Sequence, residues 1–289
     1  MNFTVSEIET TLPDGCSIRG RLYTPNSNHT SRDLCLCIHG LAVDCNVWNF
    51  VAEEWVQSGR SLVCFDLRGH GLSDRGRWYK VGPKIMARDL IQACHQLNLK
   101  PSTLIAQSFG NLIALHMLVR TPNNWDIGHY FAVTPVWTAT RPKTKIYFRL
   151  LRDAFIFLFS LGKEVGFTNA RMKKRSDHTK FAKQADSFFP RFCEETRSIG
   201  WLRYARLMLL LQWSRWHVHA WTSLKNLPVH IIGATGEGLW DNSELMFISE
   251  KTGWPLHWIE MRHLSLSTNP KYAHLLIKLI ENKQLTGSK

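Results

Sequence analysis

The sequence has no C-x-x-C pair, no long apolar run, no internal repeat and few acidic residues, 23 Asp+Glu against 36 Lys+Arg. Each absence removes a class of protein. The seven cysteines (Cys16, Cys35, Cys37, Cys45, Cys64, Cys94 and Cys193) are spaced too irregularly for a zinc knuckle or a dithiol redox motif, and the step from Cys35 to Cys37 fits neither. An odd count in so ordinary a pattern favours a reducing compartment. Cys35, Cys37 and Cys64 sit in apolar runs and read as small hydrophobes. The most apolar stretch, Ala154 to Leu161, is far shorter than the roughly 20 residues of a membrane-spanning helix. The N-terminus shows no basic segment followed by an apolar one, so no secretory signal is read there. These features predict a soluble, cytoplasmic protein.

What is present is a globular composition. Of 289 residues, 44% are hydrophobic and 20% charged, enough to build a sizeable core. The formal net charge is +13, unevenly spread: between Thr138 and Lys225 there are 18 Lys+Arg against 6 Asp+Glu, while the rest of the chain has 18 against 17. One middle segment carries nearly all the excess.

Along the chain, FTVSEIET and SIRGRLYTP alternate polar and apolar residues, and Pro13 to Gly15 between them signals a turn, so they read as a hairpin. Leu34 to Ile38, Ser61 to Asp66 and Ser102 to Gln107 are short continuous apolar runs, the pattern of strands buried on both faces. Between them lie two helix-length segments. One carries Val47, Phe50, Val51 and Trp55 on a stripe ending near Gly59. The other carries Met86, Leu90, Ile91, Cys94 and Leu97 at helical spacing. A helix follows Ser108 to about Thr121, then a strand near GHYFAVTP. Strand–helix alternation stops at about Val136 and resumes with Val229 to Ala234, a helix near Asn242 to Lys251, a strand at Leu256 to Glu260 and a last helix. The expected division is an α/β core over 1–135 and 225–289, with a helical cationic segment over 136–224 inserted into its mostly parallel sheet.

The stretch TLIAQSFGNLIALHMLV, Thr103 to Val119, puts a lone hydroxyl between an apolar strand and an apolar helix. A nucleophile at such a corner needs small neighbours and benefits from the free N–H groups of the helix behind it. Ala106-Gln107-Ser108-Phe109-Gly110 fits the G-x-S-x-G elbow, with Ala in place of the first Gly. The competing reading is a helix N-cap, for which Ser is a favoured residue.

A Ser hydroxyl is inert at neutral pH until a base takes its proton. The elbow therefore calls for an acid and then a His further along the chain. His263 follows the last strand. Glu237 lies in Gly236-Glu237-Gly238, about five residues past the apolar part of the preceding strand, and Asp241 is the rival acid. Phe109 N–H and Leu41 N–H are the candidate donors to the oxyanion, with His39 and Gly40 shaping the turn that aims Leu41. Gln107, Trp48 and Trp137 are assigned with them to the substrate pocket or its supporting loops. His39 and His70 read as loop-holding residues. His217 and His219 would face apart on a helix, so no metal site is expected.

IHGLAVDCNVW, FDLRGHGLSD, AQSFGN and RHLSLSTNP, in this order, resemble the signature series of the α/β-hydrolase family. The resemblance covers roughly residues 15 to 135 and 225 to 285. It implies an α/β-hydrolase fold with a helical lid inserted after strand 6, and a Ser108–His263–Glu237 triad that uses no metal or organic cofactor. The departures are Ala106 for Gly and Glu237 for the commoner Asp.

The middle segment mixes apolar residues with Arg and Lys at helical intervals. Arg149, Arg152, Arg203, Arg206 and Arg215 form a cationic outer face, with Leu202, Ala205, Leu209 and Trp213 near one apolar stripe. Plain solvation of that face is the bland alternative. A functional face would meet an anionic partner: an acidic acyl carrier protein first, then an acyl-coenzyme A thioester or an anionic membrane surface. No nucleic-acid recognition motif is present. An Arg-rich helical lid is similar to that of esterases that demethylate a pimeloyl chain on its carrier protein in biotin synthesis. The expected activity is thus a serine carboxylesterase; a thioesterase or acyltransferase shares its chemistry, and a non-catalytic interaction module is the alternative of another kind.

Overall fold

Eight strands carry the alternation read from the sequence. The computed structural model describes residues 3–26, 33–120, 126–137, 199–213, 229–236, 242–262, 266 and 269–286. The strands are β1 (Phe3–Thr11), β2 (Ser17–Pro25), β3 (Leu34–Ile38), β4 (Ser61–Phe65), β5 (Thr103–Gln107), β6 (His129–Val133), β7 (Val229–Ala234) and β8 (Leu256–Ile259). They form one sheet in the order β1-β2-β4-β3-β5-β6-β7-β8. β2 pairs antiparallel with β1 and β4, and every other pair is parallel. The expected hairpin forms at its turn, where Leu12 N–H donates to Cys16 O at 2.9 Å and Gly15 N–H to Leu12 O at 2.8 Å.

Side-chain alternation along each strand divides the core in two. On β5, Leu104 and Ala106 join one buried cluster and Ile105 the other. Among the described residues the helices are α1 (Asn49–Gln57), entered through a 3-10 turn at Cys45–Trp48, then α2 (Pro83–Gln96), α3 (Gly110–Leu118), α4 (Trp201–Trp213), α5 (Ser243–Thr252) and α6 (Pro270–Thr286). α1 and α6 supply Val51, Trp55, Ala273 and Ile277 to one face; α2, α3, α4 and α5 supply Met86, Leu112, Leu207 and Ile248 to the other. α3 is apolar nearly all round, with Leu112, Ile113, Ala114 and Leu115 all fully buried, so it is a core helix rather than a surface one. That fixes the corner at its start. All six described cysteines are buried and none is in a disulfide, as expected for Cys35, Cys37 and Cys64 as small hydrophobes. Among the described residues no helix is long and apolar enough to cross a membrane.

Of the basic middle segment, Val136, Trp137 and residues 199–213 are described; Arg149, Arg152 and Arg215 lie outside the described residues. α4 buries Leu202, Tyr204, Ala205 and Leu207, while Leu209 is only half-buried. Its arginines depart from the expected outer face. Arg203 Nε donates to Arg75 O at 3.2 Å and Nη2 to Gly76 O at 2.5 Å, and Arg206 Nε donates to Val81 O at 3.2 Å. Both side chains tie α4 to the loop after β4. Amphipathic spacing could not show this, because a long stem buries apolar length while its guanidinium satisfies loop carbonyls.

Candidate active site

The site is built at the carboxyl ends of the parallel strands. β5 ends at Gln107, and Ser108 turns the chain into α3 with φ at +51. A left-handed backbone costs a non-glycine residue roughly 1–2 kcal/mol, and it persists only where the surroundings impose it. Here they do. Ser108 N–H donates to Val133 O of β6 at 3.0 Å. Asn111 Nδ2 donates to Ser108 O at 3.0 Å and to Val133 O at 3.1 Å, and its Oδ1 accepts from Tyr130 OH at 2.7 Å. β6 therefore grips the corner from both sides. Ser108 itself is half-buried between a fully buried Gln107 and Phe109.

Two glycines explain how the backbone packs so tightly. A Cβ on Gly110 would stand 2.5 Å from Ile38 O and 2.7 Å from His39 O. Only glycine lets the first turn of α3 lie on the end of β3. A Cβ on Gly40 would stand 3.3 Å from Ser108 Cβ and 3.8 Å from its Oγ. The loop after β3, which holds Leu41, thus runs directly over the Ser.

That loop is fixed from the β4 side. Leu67 N–H donates to His39 Nε2 at 3.0 Å, so the proton sits on His39 Nδ1, which faces Gly40 O at 2.7 Å. Burial pushes the His39 imidazole down to about 4, against the Gly40 carbonyl and the Asp44 carboxylate, which favour its charged form. His70 packs 5.1 Å from it, ring to ring, and is pushed down to about 3 by burial and then by His39. Both are buried and neutral. Asp66, fully buried, accepts from Cys45 N–H at 2.9 Å and from Leu72 N–H at 2.8 Å, joining the loops after β3 and β4. Behind them Arg68 grips Asp89 at 2.7 and 2.8 Å and Asp14 at 2.8 and 3.2 Å. Its hydrogen bonds hold the Asp14 carboxyl below the usual range; for Asp89 burial outweighs the same guanidinium and raises it.

Phe109 follows Ser108 on the corner and is fully buried, and Leu41, next to Gly40 on the loop after β3, is half-buried against the same core cluster. Trp48 is fully buried in the cluster under α1 and α6, and Trp137 in the opposite cluster, edge-on to Trp254 at 5.9 Å. Trp48 is therefore core. Trp137 shares its cluster with Phe109.

His263, Glu237 and Asp241 lie outside the described residues; described residues stand on either side of them in the chain. Thr134 N–H donates to Ile232 O at 2.7 Å, Thr235 N–H to Ile259 O at 3.0 Å and Gly236 N–H to Met261 O at 3.1 Å. The ladder thus continues past β7 and β8, and pairs the residue before Glu237 with the residue two before His263. Asn242 Nδ2 donates to Ala234 O at 3.0 Å, which fixes the residue after Asp241. Asn111, Tyr130 and Asp66 were given no role from sequence. Their partners are distant in the chain or on other elements; A-Q-S-F-G-N and F-D-L-R-G-H-G contain Asn111 and Asp66, and no motif marks Tyr130.

The family model of serine aminopeptidase, S33, matches residues 29–243. The magnesium-chelatase 30 kDa subunit of Rhodobacter capsulatus is 42% identical over 87 residues, a match that spans 30% of this chain and 30% of that protein. Among solved structures, the thioesterase domain from the curacin biosynthetic pathway matches with a TM-score of 0.68 at 16% identity, covering 96% of this chain and 99% of that one. A carboxylesterase structure from Nitrososphaera gargenis gives 0.66 at 15% identity, over 95% and 98% of the two chains. The enol-lactonase of Burkholderia xenovorans gives 0.66 at 13%, over 95% and 98%. At such identities these neighbours show the shared α/β-hydrolase fold.

Proposed function

The chain belongs to the serine aminopeptidase, S33, family, a hydrolase family of α/β-hydrolase fold, and from that premise we propose that it hydrolyses a carboxylic ester through Ser108. The observation that carries the reading is the half-buried Ser108 held at φ +51 with the Gly40 loop packed over it. A strained, accessible hydroxyl at the start of a buried helix suits attack on a carbonyl.

In this reading His263 takes the proton from Ser108 Oγ as the oxygen bonds to the acyl carbon. Glu237 holds the imidazole in its productive tautomer. Leu41 and Phe109 N–H groups stabilise the oxyanion, each worth on the order of 3 kcal/mol. The carbon–oxygen bond to the alcohol breaks as His263 returns the proton to it. Water, deprotonated by His263, then attacks the acyl-Ser108 ester and restores the hydroxyl. The chemistry needs neither metal nor organic cofactor.

For substrate, the reading is a methyl ester of a pimeloyl-type chain on an acidic acyl carrier protein, the partner that the basic segment would meet. Its support is the charge count. Arg149, Arg152 and Arg215 are the residues on which to test it, since Arg203 and Arg206 are engaged by the loop after β4.

The test compares one dicarboxylate monomethyl ester, free and on an acyl carrier protein, with wild type and Ser108→Ala. Ser108-dependent cleavage favouring the carrier form supports the full reading. Equal cleavage of both forms leaves a carboxylesterase without a carrier partner. If only thioesters turn over, the leaving group is a thiol. Retained turnover by Ser108→Ala, or no labelling of Ser108 by a serine-directed phosphonate, overturns the serine mechanism. Glu237→Gln should slow the reaction far more than Asp241→Asn; the reverse ranking moves the role to Asp241.

A further inference from the structure

The loop after β4 also borders a cleft that does not include Ser108 in its lining. Together with the β1–β2 turn it walls an open cleft of about 590 Å³, lined among the described residues by Asp14, Arg68, Asp74, Arg75, Arg77 and Lys80 with intervening small residues. The volume falls within the range of small-molecule sites. Four cations and two carboxylates line it, and both carboxylates are already engaged. Asp14 accepts from Arg68 at 2.8 and 3.2 Å, and Asp74 accepts from Ser17 N–H at 2.9 Å. Lys80 Nζ stands 3.9 Å from Asp14, with its side chain 44% exposed. Arg77 is exposed, its Nη1 resting on Tyr79 OH at 2.8 Å.

Between these two cations the chain presents Trp78 and Tyr79, 42% and 45% exposed, ring centroids 5.9 Å apart and edge to face. The two rings make a small contiguous aromatic patch on the loop. The loop is also held. Arg203 of α4 binds the carbonyls of Arg75 and Gly76, Lys80 N–H donates to Arg77 O at 2.9 Å, and Gly69 N–H to Asp74 O at 2.9 Å. Arg77 and Lys80 of the cleft wall thus flank two exposed aromatics in the chain, on a backbone that is pinned.

We propose that this cleft binds a nucleoside phosphate, the phosphate held by Arg77 and Lys80 and the base stacked on Trp78. Guanidinium and ammonium groups recognise phosphate oxygens by charge-assisted hydrogen bonds, and an indole face accepts any base. The cleft opens on the same edge of the sheet as Ser108, two strands over in the order β5-β3-β4. The binding does not depend on the reaction assigned to Ser108, so the Ser108→Ala protein should bind as wild type does.

The test is calorimetric titration of the full chain with ADP, adenosine and pyrophosphate. ADP is expected to bind saturably and adenosine far more weakly. The double variant Arg77→Glu/Lys80→Glu should lose tenfold or more in ADP affinity, on the order expected for reversed charge-assisted contacts. Trp78→Ala should lose roughly tenfold for ADP and nothing for pyrophosphate. All three side chains are well exposed, and an unchanged melting temperature verifies each fold. No saturable ADP binding at millimolar ligand overturns the proposal. So does an affinity indifferent to the charge reversal. Pyrophosphate binding as tightly as ADP overturns the assignment to a nucleoside.

Discussion

Gly40 lies against Ser108: a methyl group at position 40 would stand 3.3 Å from the Ser108 Cβ and 3.8 Å from its Oγ. The gap is tight yet not closed, so the loop must give by a few tenths of an ångström to admit a side chain. Gly40→Ala should therefore lower kcat by about tenfold or more, with overpacking costing about 1–3 kcal/mol of stability. Steady-state kinetics beside a denaturant melt read both. An alanine variant with full kcat would mean that the loop position is immaterial to the chemistry.

Ser108 carries backbone strain, and strain held at a site is recoverable. Ser108→Gly should raise unfolding free energy by about 1 kcal/mol while turnover disappears, since glycine adopts φ +51 freely. Equal or lower stability would show that the corner is not strained by its neighbours.

The Tyr130–Asn111–Ser108 chain makes a different prediction. Tyr130→Phe removes the donor to Asn111 Oδ1 and leaves that buried oxygen without it, costing about 1–3 kcal/mol. Asn111→Ala removes the contacts to Ser108 O and Val133 O as well, so it should destabilise more and also lower kcat. A Tyr130→Phe protein as stable as wild type would argue that water replaces the hydroxyl.

His39 and His70 are buried neutral, with values depressed from 6.5 to about 4 and about 3. Between those values and 6.5 the unfolded chain binds protons that the fold does not, so stability is full above about 6.5 and falls as the pH drops. Removing one such group by His70→Gln should flatten the slope of stability against pH near pH 5 by about 1.4 kcal/mol per pH unit. Unfolding curves over a pH series give the slope, and an unaltered one would place the His70 proton elsewhere.

Arg203 joins α4 to the carbonyls of Arg75 and Gly76. Arg203→Met keeps the apolar stem and loses both bonds, each worth about 1.5–3 kcal/mol for a charged donor. Its effect should be similar on a small ester and on a carrier-linked one, since the residue acts through the fold. A loss confined to the carrier-linked ester would return Arg203 to the partner-facing surface.

Much of this was legible in the chain itself. Apolar runs of five or six residues alternating with periodic segments specified a mostly parallel sheet, because strands buried on both faces have no polar side to show. The Pro13–Gly15 turn and the positive-φ Gly59 after α1 lay where local backbone preference puts them. Ser108 stood out because a hydroxyl between an apolar strand and an apolar helix has few local reasons to be there. The strained φ of Ser108 and the grip of Asn111 and Tyr130 were decided by tertiary contact between β5 and β6. So was the seat of Gly110 on the end of β3. Arg203 and Arg206 make the same point from the other side. Their spacing read as a cationic outer face, and only the approach of the loop after β4 gave their guanidiniums carbonyls to hold. Local sequence sets periodicity and turn preference, because those depend on near neighbours along the chain. Which donor meets which acceptor across strands far apart in sequence is fixed only when the sheet closes and brings those groups within reach of one another.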